Sequence, residues 1–327
     1  MPRLGFGLGL DVKKIIVSGG SRGPASAITA YFMVDEPSGK ILKIMPDGTV
    51  HTWHTYAGAL EPEGCIVDSK NERLYVLIGN AGTRQVDRFD NLTGNDSGGS
   101  ATKTLASTQY GGNGTYVYST DEIYYASPSG ATIGIFKIDA DLTTVSEVLV
   151  AKYFRDFMYW PPDDEAICAN LSPSSIWAGE LDGSGWSQST TRDPVTDRGI
   201  AIPPAHEMGD TEYMFLCAFQ IIHRYSRYGG GKLNWLVLTT GLDITPAQPR
   251  IDFVNGLVVF IGVESGGTGT DGIYTAPLQQ GAHSDQSGVV KIADITSQVP
   301  SMTAGSGKGL EILFNGDPTT LMVDIAP

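Results

Sequence analysis

EPEGCIVDSKNERLYVLIGNAGTRQVDRFD, residues Glu61 to Asp90, holds three short strand patterns separated by two tight turns. Cys65-Ile66-Val67 is an apolar triplet, and Asp68 to Glu72 is polar and turn-like. Leu74 to Ile78 is apolar throughout, as in a strand covered on both faces. Asn80-Ala81-Gly82 is a second turn signal. Arg84 to Phe89 alternates polar and apolar, as a half-exposed strand does. Buried, buried, then half-exposed is the order of strands in a propeller blade from axis to rim.

The same unit recurs on both sides of this stretch. Upstream, Ala30 to Val34 and Lys40 to Ile44 are strand patterns, and Pro46-Asp47-Gly48 turns the chain into Thr49 to Trp53. Downstream, similar units follow, with buried inner strands expected near Ala30, Leu74, Ile123, Ala166, Tyr213 and Leu257. That spacing is roughly 45 residues, the length of a four-stranded blade. No segment keeps a helical period. The fold class is therefore all-β, a β-propeller of about seven four-stranded blades, with six as the alternative. Seven follows if Leu310 to Phe314 and Leu321 to Ile325 open a further blade that Val12 to Val17 completes. Six follows if the C-terminal strands join the first unit. Either closure removes an unpaired sheet edge. The expected division is an N-terminal extended arm over residues 1–28 and a propeller over residues 29–327.

Composition agrees and narrows the function classes. The chain has 327 residues, 41% hydrophobic and only 18% charged, with 41 glycines to supply tight turns. A formal net charge of −14 without any basic stripe argues against direct nucleic-acid binding. No apolar run reaches the ~18 residues of a membrane span. The N-terminus is too glycine-rich for a signal peptide. Cys65, Cys168 and Cys217 are scattered in apolar segments and read as buried small hydrophobes without a disulfide framework, so the expectation is assembly in a reducing cytoplasm.

Catalytic motifs are weak. Asn95-Asp96-Ser97-Gly98-Gly99 is similar to the nucleophile loop of trypsin-like proteases, but it lacks the first glycine and lies in a polar loop. Gly305 to Gly309 lacks P-loop spacing. His51 and His54 lie three apart on one strand, which predicts opposite faces and no shared metal. Asp163-Asp164-Glu165 reads as a solvated acidic turn. Leu181-Asp182-Gly183-Ser184-Gly185-Trp186 resembles the Asp-box turn of sialidases, with Glu180 where that turn begins with Ser or Thr. The stretch from Phe32 through Asp47-Gly48-Thr49 resembles the repeats of regucalcin-like lactonases, which implies an axial metal with Glu63 and Asn255 as ligands. A metal-dependent hydrolase of that kind and a receptor- or glycan-binding module are the two alternatives to the main expectation.

That main expectation comes from the first ten residues. Met1-Pro2-Arg3-Leu4-Gly5-Phe6-Gly7-Leu8-Gly9-Leu10 resembles the opening of tailed-bacteriophage virion proteins, with Phe6 in place of the usual leucine. The resemblance implies a non-enzymatic structural protein of the tail or neck, located in the virion. Its partners would be other virion proteins and copies of itself, with no cofactor and no metal. A glycine-rich apolar stretch of this kind either folds back on its own domain or docks as an arm on a neighbouring subunit, and in the second case Leu4, Phe6, Leu8 and Leu10 are the expected partner-binding residues.

Overall fold

A computed structural model of the chain describes residues 28–316 and 318, apart from 59, 81–82, 95–96, 98–99, 107–111, 128–132, 151–152, 161–164, 172–173, 192–198, 202–212, 227–230, 240, 265–270, 280, 284 and 300–306. The arm residues Leu4, Phe6, Leu8 and Leu10, the Val12 to Val17 segment and Leu321 to Ile325 lie outside the described residues. The described strands form six four-stranded antiparallel sheets, the blades of a β-propeller. Blade I contains β1 (Ile28–Asp35), β2 (Lys40–Ile44) and β3 (Val50–Thr55), and its innermost strand is the last of the described strands, β24 (Gly307–Phe314). Blade II is β4 (Pro62–Asp68), β5 (Arg73–Asn80), β6 (Thr83–Asp90) and β7 (Ser100–Thr104). Blade III is β8 (Gly114–Val117), β9 (Glu122–Ser127), β10 (Gly134–Asp139) and β11 (Val145–Val150). Blade IV is β12 (Phe154–Trp160), β13 (Glu165–Leu171), β14 (Ser174–Gly179) and β15 (Ser187–Thr191). Blade V is β16 (Ile200–Ala201), β17 (Tyr213–Ala218), β18 (Ile221–Ser226) and β19 (Leu233–Val237). Blade VI is β20 (Ile244–Asp252), β21 (Leu257–Glu264), β22 (Gly272–Pro277) and β23 (Val290–Asp294).

Successive side chains of a strand point to opposite faces, and in this ring both faces of a blade meet a neighbour. In β1, Ala30, Phe32 and Val34 pack with β5 residues Leu74, Val76 and Ile78 of blade II. The alternate residues Tyr31 and Met33 pack with Val259 and Ile261 of blade VI. Likewise Tyr75 and Leu77 of β5 face Ile123 and Tyr125 of blade III. This explains why the most apolar runs are continuous. It also corrects the expected position of the runs near Ala30, Leu74, Ile123, Ala166, Tyr213 and Leu257. They belong to the second strand of each blade, not the innermost. The second strand is sandwiched between blades, whereas the innermost strand turns toward the axis and carries polar residues.

The six-blade alternative is the one observed among the described residues. Leu310 to Phe314 does not open a seventh blade. It lies in β24 and pairs antiparallel with β1, with Ile28 opposite Phe314, Tyr31 opposite Ile312 and Met33 opposite Leu310. Neighbouring innermost strands touch all the way round, from β24 through β4, β8, β12, β16 and β20 back to β24. An even number of antiparallel strands returns the chain to the end of the blade where it started. All six innermost strands therefore run the same way, and the ring has two distinct faces. On the entry face the innermost strands begin. On the exit face they end, at residues such as Phe314 and its partner Ile28.

Two devices staple blades together. The turns Met45–Thr49 and Glu180–Ser184 share one geometry, in which Asp47 and Asp182 carboxylates accept the N–H two residues on, at 2.9 and 2.8 Å. Gly48 and Gly183 take positive φ of 86° and 91°. A Cβ on either would lie 2.5 Å from a carbonyl of the preceding blade's outer strand, Ile292 or Val148. The second device is Lys43, 1% exposed, whose ammonium donates to the carbonyls of Leu92, Thr93 and Gly94 in blade II at 2.7, 3.1 and 2.8 Å. Three acceptors replace the water that a buried ammonium loses.

Candidate functional site

The polar residues of the innermost strands converge at the centre of the ring. Arg250 on β20 is 4% exposed. Its Nε donates to Glu311 Oε1 on β24 at 2.8 Å, and its Nη1 donates to the carbonyls of Pro249 and Ile200 at 2.8 and 3.2 Å. Asp156 on β12 lies 3.9 Å from Nη1 and accepts the N–H groups of Phe157 and Ile200 at 3.0 and 2.8 Å. Glu311 comes from blade I and Asp156 from blade IV, so one guanidinium from blade VI ties together opposite sides of the wheel. A second contact also crosses the axis. Asn113, just before β8 of blade III, donates from Nδ2 to Gln248 Oε1 of blade VI at 2.6 Å. Gln248 takes φ of 51° where the pairing of β20 with β21 shifts register, which turns its side chain out of the ladder.

Electrostatics follow from burial. Burial pushes the Glu311 carboxyl up from 4.5 to about 7, against the pull of Arg250. Asp156 is raised for the same reason, again opposed by Arg250 and by two backbone N–H groups. Burial works against the Arg250 charge, but the two carboxylates outweigh it and hold the guanidinium charged. The Cys65 and Cys168 thiols are pushed well up by burial and stay protonated. Arg250 Nη2 and Asn113 Oδ1 are buried polar atoms left without a partner among the described residues. The ion pair, the backbone carbonyls and the backbone N–H groups around Arg250 and Asp156 make this an ionic clasp.

The residues singled out from sequence fall elsewhere. Glu63 and Asn255 do not converge. Glu63 stands at the entry end of β4, its side chain lying over Gly79. Asn255 stands on the exit face, where its Nδ2 donates to Asp252 Oδ2 at 2.7 Å and closes the turn after β20. Among the described residues no group of three or more His, Cys, Asp or Glu side chains is placed to hold a metal ion. At the axis both nearby carboxylates already face a guanidinium, so these side chains do not fit the metal set of a regucalcin-like lactonase. The Asp-box-like segment is the structural turn described above, with Trp186 Nε1 donating to the Glu180 carbonyl at 2.9 Å.

The two histidines of β3 depart from the parity argument. A bulge at Trp53 places His54 opposite Ile41 and His51 opposite Lys43, so both lie on the same side of the sheet. They do not share a partner. His54 Nδ1 meets Ser97 Oγ at 2.7 Å, which brings the serine of the protease-like loop to a histidine. Burial lowers the His54 pKa, and Asp87 opposes the shift. However, Asp87 is engaged by Gln85 and Thr102 at 2.7–3.0 Å, and the Ser97 N–H is spent on the Trp53 carbonyl at 3.0 Å. His54 is also wedged against Tyr56 and Phe89, with ring centroids 4.6 and 4.9 Å away. This pair anchors the loop of blade II to blade I.

The axial clasp itself was missed from sequence. Asp156, Arg250 and Glu311 stand in innermost strands that also contain Arg155, Asp252 and Lys308, so no lone charge marks them in the sequence.

No family model matches the chain, and no curated protein matches its sequence. Solved structures do match. The chain resembles a structure of the nidogen/laminin complex at TM-score 0.62 and 10% identity, over 88% of this chain and 99% of that one. A protein of unknown function from Bacteroides caccae matches at TM-score 0.57 and 10% identity, over 87% and 98% of the two chains. A gluconolactonase from Xanthomonas campestris matches at TM-score 0.54 and 12% identity, over 71% and 79%. At such identities the likeness is one of fold alone, and what it establishes is that the chain is a β-propeller.

Proposed function

We propose that this chain is a non-enzymatic structural protein of a tailed-phage virion, in the tail or neck, that assembles through protein contacts. The observation that carries the non-enzymatic half is the axial clasp. Arg250 holds Glu311, Gln248 holds Asn113, and Arg250 Nη1 and the Asp156 carboxylate are taken up by backbone carbonyls and N–H groups, across the place where a propeller would otherwise offer reactive groups to a substrate. Stapled blades and buried thiols suit a rigid module. The virion half is supported by the resemblance of residues 1–10 to phage virion proteins. In this reading the propeller is the body and residues 1–28 are the anchor, with Leu4, Phe6, Leu8 and Leu10 seated on a neighbour.

Among the described residues no helix is long and apolar enough to cross a membrane. Deleting residues 1–20 leaves the ring intact and abolishes incorporation into particles, read by gel and electron microscopy of purified virions. Normal incorporation would exclude the anchoring role. Turnover of lactones or small esters by the wild-type chain, lost in Arg250 or Ser97 variants, would overturn the non-enzymatic half.

A further inference from the structure

Phe219 sits at the tip of the two-residue hairpin between β17 and β18, on the entry face. It takes φ of 49°, a left-handed conformation that bulky side chains rarely adopt. Leu142 does the same at φ 59°, but its side chain is 6% exposed and packs into the core between blades II and III. Phe219 has no such compensation, since it is 61% exposed. Asn or Gly would make this turn more easily. Two further apolar residues open on the same face. Val237, 39% exposed, ends β19 beside this hairpin, opposite Ile221 in the ladder. Tyr153, 47% exposed, precedes β12 of blade IV. Beside Phe219, the exposed Asp243 accepts from Gln220 Nε2 at 2.5 Å.

The segment able to use this surface belongs to the chain itself. Residues 1–27 carry Arg3, Lys13, Lys14 and Arg22 against Asp11 alone, within a chain of net charge −14. The segment is thus basic where the ring is acidic. It also carries Leu4, Phe6, Leu8 and Leu10. It joins the ring at Ile28, which pairs with Phe314 and so lies on the exit face, opposite Phe219. From Ile28 back to Leu10 the chain spans up to ~60 Å, more than the ~27 Å thickness of an eight-residue strand.

The geometry points to a head-to-tail contact in which the N-terminal segment of one copy docks on the Phe219 face of the next. The proposal rests on the assembly reading above and names the surface that receives the arm. Such a contact uses two different patches, so each copy keeps one of each free for a further neighbour.

The test uses two variants of the full chain and their mixture, followed by sedimentation and light scattering over a range of concentrations. Phe219→Asn suits the left-handed turn, so its melting temperature should not fall. Wild type should self-associate. Phe219→Asn and the deletion of residues 1–20 should each weaken association at least tenfold. A mixture should form one-to-one pairs and nothing larger, because the deleted chain keeps the face and Phe219→Asn keeps the arm. Association of the wild type should weaken as salt rises.

Self-association untouched by either variant would overturn the proposal, as would a wild type that stays monomeric with its arm bound to its own ring. A chain that self-associates as described but never enters particles would instead sink the virion reading and leave this contact standing.

Discussion

Replacing Arg250 by Met tests whether the axial clasp holds the ring together. The substitution keeps most of the side chain's length and removes its charge. It leaves Glu311 and Asp156 without their common counter-ion and takes the Nη1 donor away from the Ile200 and Pro249 carbonyls. Breaking a buried ion pair from one side costs about 3–5 kcal/mol. The Arg250 and Asp156 side chains are 5% and 1% exposed, so water screens little of this. The expected loss is about 4 kcal/mol near pH 8, read as urea unfolding midpoint multiplied by slope.

The pH dependence carries the argument. Arg250 holds both carboxyls below the values that burial alone would set. Without it both folded pKa values rise further. A carboxyl whose folded pKa is raised is equally protonated in both states below its unfolded value, so the loss is least near pH 4. It grows as the unfolded chain ionises while the folded one resists. The wild type should show a milder version, losing stability as pH rises from 4.5 to about 7 through Glu311. Adding Glu311→Gln and Asp156→Asn to the Met variant should restore much of the stability at pH 8. A loss under about 1 kcal/mol, well below that expected for a buried pair, or one that is the same at pH 5 and pH 8, would refute the clasp.

Three further outcomes are expected. Lys43→Met removes the donor to three carbonyls and should cost about 2–3 kcal/mol, with faster proteolysis in the 91–99 loop than elsewhere. Gly48→Ala meets the Ile292 carbonyl at 2.5 Å, whereas Gly58→Ala meets nothing within 4 Å, and both glycines take positive φ. The first should therefore lower the melting temperature clearly more than the second, and equal effects would deny the contact between blades. Cys65, Cys168 and Cys217 are buried. Dithionitrobenzoate should label none of them in the native protein and all of them in denaturant.

Strand positions were legible in the sequence because a blade buried on both sides writes itself as continuous apolar runs such as Leu74 to Ile78. The blade count was less legible. Leu310 to Phe314 has the pattern of a strand, but nothing in the pattern says whether its partner lies before it or at the far end of the chain. Pairing with β1 is a long-range contact, and only the ring geometry selects it. The bulge at Trp53 defeated a parity argument for the same reason, since one extra residue exchanges the faces of all that follow. The clasp was the least visible feature. Asp156, Arg250 and Glu311 share no motif, and three distant strands meet only when the circle closes.

The pairing of β24 with β1 also bears on how the molecule is made. The first strands of blade I leave the ribosome long before their inner partner exists. At about 5–20 residues per second, β1 waits roughly 15–55 seconds for β24. Throughout that interval its inner edge presents unpaired N–H and C=O groups. An edge left open in this way can pair with another chain, which fast synthesis or a chaperone would prevent. A chain truncated before residue 307 and released from the ribosome should keep blades II to VI and leave blade I without its inner strand.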